Sequence, residues 1–176
     1  MKNIGKSFIK YICIALIVLI AFLIQTTVFY KFLIKPNILL TATCSIGFLF
    51  GEREGMFSGV LAGLFIDAFF GPLIGFNMII LISLGYLSAL MGKLFYKEQI
   101  LFPIILLTID DFIYNFYYYI FRMLLRKQIN FPYYFTRVFL PEIVATVLVT
   151  ILIYYVLYKL DALYSKNDTG SGLNFD

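Results

Sequence analysis

Residues 51–77 read GEREGMFSGVLAGLFIDAFFGPLIGFN. Glycine recurs at 51, 55, 59 and 63, and again at 71 and 75; the slot that the pattern skips, 67, holds an aspartate inside an apolar run. Residues four apart share a helix face, so Gly55, Gly59 and Gly63 line a strip without side chains, and Asp67 continues it. Ser58 and Ala62 sit beside the strip and widen the groove. What such a strip does depends on the solvent around it.

That solvent is lipid. The chain has 176 residues, of which 62% are hydrophobic and 14% charged; a soluble domain of this size carries about 25% charge. Long apolar runs with few charges mark membrane spans, and the length suits one compact membrane unit, residues 1–164, followed by a polar tail at 165–176. The tail, rich in Gly, Ser, Asn and Asp, reads as disordered. Histidine is absent, which excludes histidine acid–base chemistry. Cys13 and Cys44 lie one per apolar run, with no metal spacing and no disulfide framework. The net charge of +4 is scattered, so nucleic-acid binding has no footprint.

Six apolar segments follow one another: Phe8–Tyr30, Ile38–Phe50, Met56–Phe70, Asn77–Phe95, Ile100–Phe121 and Val138–Leu160. The first follows Lys2, Lys6 and Lys10 and is too long for a signal peptide, so it reads as a retained anchor. A helix needs about 20 residues to cross the hydrocarbon core. Segments two and three fall short of that, and they read as short spans in preference to a re-entrant hairpin. The expected fold is therefore an all-α bundle of about six transmembrane helices, with both termini on one side. The N-terminal lysines favour the cytoplasm for that side.

In lipid, apolar contact between helices gains little, and close approach of backbones matters instead. Gly55, Gly59 and Gly63 are therefore expected to form a helix-packing seam. An ionised Asp67 at membrane depth costs a few kcal/mol or more and must face protein or water. The leading expectation is that it accepts hydrogen bonds and pins the following turn; a partner or ligand contact is the alternative. That turn is Gly71-Pro72-Leu73-Ile74-Gly75, with Asn77 at the expected N-cap of the fourth helix.

Further polar residues lie at membrane depth. Gln25 and Thr26 end the first span and are candidates for hydrogen bonds across helices. In the fifth, Asp110 and Asp111 are adjacent; Asp111, Asn115, Tyr118 or Tyr119, Arg122 and Arg126 fall on one stripe, and Asp110, Tyr114 and Tyr117 on its neighbour. Two carboxylates in lipid must find partners or take up protons. Interior hydrogen bonding with tyrosine donors is the leading reading; a docking face or a proton or cation pathway are the others. Arg137 and Glu142 flank Pro141 and could pair. No enzyme constellation is present: Ser and Thr lack a nearby base, the adjacent aspartates point about 100° apart on a helix, and GMFSGVLAG lacks the ending of a phosphate loop.

Several stretches in order carry a resemblance: IQTT at 24–27, KPNILL at 35–40, EREGMFSGVLAGLFID at 52–67, and Asp67, Gly71, Gly75 and Asn77 at spacings of four, eight and ten. In this the chain resembles the bacterial rod shape-determining protein MreD family, at residue level over roughly residues 24–92. It departs at Pro36-Asn37, where the family commonly has Pro-Asp, and at Phe70-Gly71-Pro72, where it often has Ser-Gly-x-Pro. The resemblance implies a non-catalytic scaffold of the cell-elongation machinery, without a cofactor or metal. Its implied partners are MreC and, with it, MreB filaments, a RodA-type glycosyltransferase and a class B penicillin-binding protein. It also implies a fold like that of the substrate-binding subunits of energy-coupling-factor vitamin transporters. Such a subunit is the competing function. Those subunits often dock through an Ala-x-x-x-Ala face in the first span; here Ala15 is followed four on by Leu19, and Ala21 by Gln25.

Overall fold

A computed structural model describes residues 2–28, 36–71, 73–95, 101–126, 132 and 135–169. Among them are six α-helices and no strand: α1 (Lys2–Thr27), α2 (Ile38–Phe50), α3 (Glu52–Phe70), α4 (Phe76–Leu94), α5 (Leu101–Arg126) and α6 (Leu140–Thr169). A π-helical turn, Phe135–Phe139, leads into α6. Four helices carry stretches long and apolar enough to cross a membrane: Phe8–Thr27, Phe76–Leu94, Leu101–Phe121 and Phe135–Leu160, the last counted with the π-turn. The chain is a multi-pass membrane protein.

The helices alternate in direction, as cross-helix contacts fix. Lys10 of α1 pairs with Glu54 at the start of α3 at 2.7 Å, and Phe22, twelve residues on, stacks on Phe65 near the end of α3. Gln25 of α1 reaches Leu39 at the start of α2, while Lys10 lies over the Phe50 ring at its end. Ser88 of α4 meets Asp110 of α5, and Phe76 stacks on Phe121. The start of α6 lies beside the start of α2, through Thr146 and Asn37.

The centre of the bundle is α2. Its 13 residues span about 20 Å at 1.5 Å per residue, short of the roughly 30 Å hydrocarbon core. Ile38–Leu49 are buried on every side, as expected of a helix that is apolar all round.

Helix α3 begins four residues earlier than the apolar run suggests. A single residue, Gly51, links α2 to α3 at φ 112°, ψ −174°, a conformation open essentially to glycine alone. The charges of GEREG then become helical. Glu52 and Glu54 occupy the first turn of α3, where the helix dipole favours anions, and they pair with Lys93 and Lys10. Helix α5 runs past Phe121 to Arg126. Helix α6 starts at Leu140, after the π-turn, and continues past Leu160 to Thr169, into the stretch read as tail. Residues 170–176 lie outside the described part.

Candidate functional site

The glycine strip of α3 lies against the backbone of α4. A Cβ built at Gly59 would sit 2.6 Å from the Leu81 carbonyl oxygen, and one at Gly63 would sit 2.1 Å from Met78 Cα. Gly55 would meet the Gly85 oxygen at 2.6 Å and Gly47 Cα at 2.7 Å, so α2, α3 and α4 converge there. Real Cβ atoms do not approach backbone this closely, so no residue with a side chain fits without parting the helices. Ser58, beside the strip, is buried and returns its hydroxyl to the Gly55 carbonyl at 2.9 Å.

At the end of the strip Asp67 is 2% exposed. Its Oδ2 accepts from the backbone N–H of Gly75 at 2.8 Å and of Met78 at 3.2 Å. Its Oδ1 accepts from the Asn77 N–H at 3.1 Å and the Asn77 side-chain amide at 2.8 Å. The first N–H groups of a helix have no partner within it and carry the positive end of its dipole. One carboxylate from α3 thus caps α4. The cap expected at Asn77 is replaced: Gly75, at φ 100°, is the boundary residue, and Asn77 lies inside the first turn. Asn77 Oδ1 accepts from the Tyr114 hydroxyl of α5 at 2.8 Å, which extends the network across three helices. Gly71 ends α3 and donates to the Asp67 carbonyl at 3.2 Å; a Cβ there would sit 2.8 Å from Asp67 Cα. Pro72 lies outside the described residues.

The start of α2 is capped in a similar way from other helices. Gln25 Oε1 of α1 accepts from the Leu39 N–H at 2.9 Å. Asn37 is the N-cap and accepts from the Leu40 N–H at 3.4 Å; its own N–H donates to Thr146 Oγ1 of α6 at 3.1 Å. One turn on, Thr41 and Thr150 share a hydrogen bond at 3.4 Å. Thr26 is not part of this set: its hydroxyl returns to the Phe22 carbonyl of its own helix at 2.8 Å.

Asp110 and Asp111 are fully buried. Asp110 Oδ2 accepts from Ser88 Oγ at 2.5 Å, and Cys44 lies beside it. Asn115 donates to the Asp111 carbonyl at 3.1 Å and approaches its Oδ1 at 3.5 Å; Thr146 and Glu142 of α6 lie nearby. The side chains that donate to these aspartates are therefore a serine and an asparagine, with Cys44 and Thr146 close by, where tyrosines were expected. Tyr114 turns to Asn77, and Tyr118 is partly exposed and stacks on Tyr114 with centroids 6.4 Å apart. Among the described residues, Asp110 Oδ1 and Asp111 Oδ2 are buried without a hydrogen-bond partner, as are Thr43 Oγ1 and Ser45 Oγ of α2. Arg137 is exposed, while Glu142 turns toward Asn115.

The structure thus brings Asp67, Gly75, Asn77 and Tyr114 together at one end of the bundle, and Asp110 and Ser88 together at mid-depth. Sequence reasoning did not find Ser88, Thr146 or the two lysine–glutamate pairs. Nothing in the local pattern YLSALMGK marks Ser88 as the residue that will face a carboxylate. Among the described residues no group of three or more Cys, Asp or Glu is arranged to hold a metal ion.

Comparison with curated proteins and with solved structures yields no match. A scan against family models does: the model described as rod shape-determining protein MreD matches residues 5–163. That match takes in all six helices but for the first residues of α1 and the last of α6, and with them the glycine strip and its aspartate, so the chain belongs to the rod shape-determining protein MreD family.

Proposed function

We propose that this protein is a non-catalytic membrane scaffold of the bacterial cell-elongation complex, one that binds MreC and so supports peptidoglycan synthesis. The observation that carries the reading is the family match over residues 5–163, which places the chain in rod shape determination. The geometry supports it. Gln25, Asn37 and Asp67 hold helix ends, and the large apolar side chains of α1, α5 and α6, such as Leu16, Ile105 and Leu148, face outward. A body of this kind offers helix faces to lipid and to other spanning helices. In this reading a RodA-type glycosyltransferase, a class B penicillin-binding protein and MreB filaments are reached through or beside MreC. Both termini are cytoplasmic, as the lysines of the first helix favour. Gly55, Gly59, Gly63 and Asp67 keep the body rigid, and Asp110, Asp111, Asn115 and Tyr118 belong to its interior or to a partner-facing edge.

Purification of the tagged full chain from native membranes in mild detergent, with identification of whatever accompanies it, tests this. Recovery of MreC at a stoichiometric level is the expected result. A tightly bound vitamin, with MreC absent, would instead favour the transporter-subunit reading.

A further inference from the structure

The α3–α4 hairpin has an unusual distribution of charge and exposure. Between Glu54 and Lys93 the only charged residue is Asp67, and Asp67 is buried. All other charges of the hairpin, Glu52, Arg53, Glu54 and Lys93, lie at the opposite end from the turn, where Glu52 and Lys93 pair. That end marks the aqueous boundary.

At the turn itself the exposed side chains are apolar. Phe69, Phe70 and Leu73 are more than half exposed, and Ile74 is 83% exposed. A turn that emerges into water would leave this patch hydrated, and water would also serve its backbone donors. Here five of those donors have partners within the protein. The N–H of Gly71 goes to the Asp67 carbonyl, those of Gly75, Asn77 and Met78 go to the Asp67 carboxylate, and that of Ile79 goes to the Gly75 carbonyl. Internal satisfaction of this kind is what hydrocarbon demands of an exposed chain.

The lengths agree. From Glu54 to Gly71 the helix rises about 25 Å, and from Gly75 to Lys93 about 27 Å, at 1.5 Å per residue. With the charged end at the boundary of a roughly 30 Å core, an untilted hairpin brings the turn to within about 3 Å of the far boundary and no further. Helix tilt would carry it deeper still.

We infer that the α3–α4 turn ends inside the bilayer, with Phe69, Phe70, Leu73 and Ile74 against the acyl chains of the leaflet away from Glu52 and Lys93. The occupant of the exposed patch is lipid. Asp67 replaces the water that a turn at this position lacks. This inference concerns the depth of one hairpin and stands independently of the scaffold reading.

Spin labels distinguish the possibilities. The full chain, with Cys13→Ser to remove the exposed native thiol, would carry a nitroxide at Ile74→Cys or, in a second variant, Leu73→Cys. Arg53→Cys, exposed at the charged end, is the aqueous control. In lipid nanodiscs, collision with apolar molecular oxygen is compared with collision with a water-soluble nickel chelate. The expected result is that oxygen dominates at 73 and 74 while the nickel chelate dominates at 53. Nickel collision at 73 and 74 equal to that at 53 would place the turn in water and overturn the inference. Low collision with both reagents would mean that protein covers the patch, from a second copy or the chain itself, and would overturn it equally.

Discussion

Asp67 and the Asp110–Asp111 pair are carboxylates sealed inside the same bundle, but their surroundings differ in kind. Asp67 accepts four hydrogen bonds, three of them from the backbone at the start of α4. These donors belong to a helix terminus and cannot be satisfied within the helix. Asp110 accepts from one serine hydroxyl, with Cys44 beside it, and among the described residues each of Asp110 and Asp111 keeps an oxygen with no hydrogen-bond partner. Removal of Asp67 therefore strands backbone groups that have no alternative. Removal of Asp110 strands one hydroxyl, which can turn to a carbonyl of its own helix as Ser83 and Thr108 do. A buried charge is structural when it answers groups the fold cannot satisfy otherwise; burial alone does not make it so.

The largest effect is expected at the seam beneath Asp67. Gly63→Leu places atoms where Met78 Cα already stands, and Gly59→Leu does the same at Leu81. Parting two helices over this length costs more than the 1–3 kcal/mol of ordinary overpacking. Both variants should lose the monodisperse folded peak in detergent size-exclusion chromatography. A normal peak with normal MreC recovery would show that α3 and α4 do not touch along the strip.

Asp67→Leu comes next. It leaves the N–H groups of Gly75, Asn77 and Met78 unpaired, at about 1–3 kcal/mol for each donor that finds no substitute. Asp67→Asn keeps one acceptor oxygen and should lose roughly half as much. Thermal unfolding in nanodiscs separates the two. Equal losses would mean that the charge, and not hydrogen-bond acceptance, holds the turn.

Asp110→Asn should change stability by no more than about 1 kcal/mol, because the amide still accepts from Ser88. This variant sharpens the contrast in a second way. If Asp110→Asn with Asp111→Asn leaves assembly with MreC intact and abolishes rod-shape complementation, the pair conducts or exchanges something, and scaffolding alone is insufficient. The smallest effect is expected for Glu52→Gln, which breaks an exposed pair with Lys93. Such exposed pairs contribute little to stability, and the loss should vanish in high salt.

Parts of this contrast were legible in the sequence. The bounds of α2 follow from Pro36 before it and Gly51 after it, because backbone restrictions are local. The i, i+4 glycines declare a bare face without reference to any partner. Asp67 and Asn77, ten residues apart across a Gly-Pro turn, are close enough in the chain for their meeting to be expected. The start of α3 was less legible, because GEREG looks like a loop unless one residue can reverse the chain, and Gly51 can. The links from Ser88 to Asp110, from Tyr114 to Asn77 and from Gln25 to the Leu39 N–H were not legible at all. Each joins helices 14 to 37 residues apart in sequence, and the rotation of a helix about its axis, which decides them, leaves no local mark in a chain that is apolar on nearly every face.

The most direct measurement sets the two carboxylates side by side: thermal denaturation of Asp67→Ala and Asp110→Ala, each as the full chain in the same lipid nanodiscs. The expected result is a large drop in Tm for Asp67→Ala and a Tm near that of the unaltered protein for Asp110→Ala. Equal drops, or a larger one at Asp110, would contradict the claim that the carboxylate on the bare strip is what fixes the end of α4.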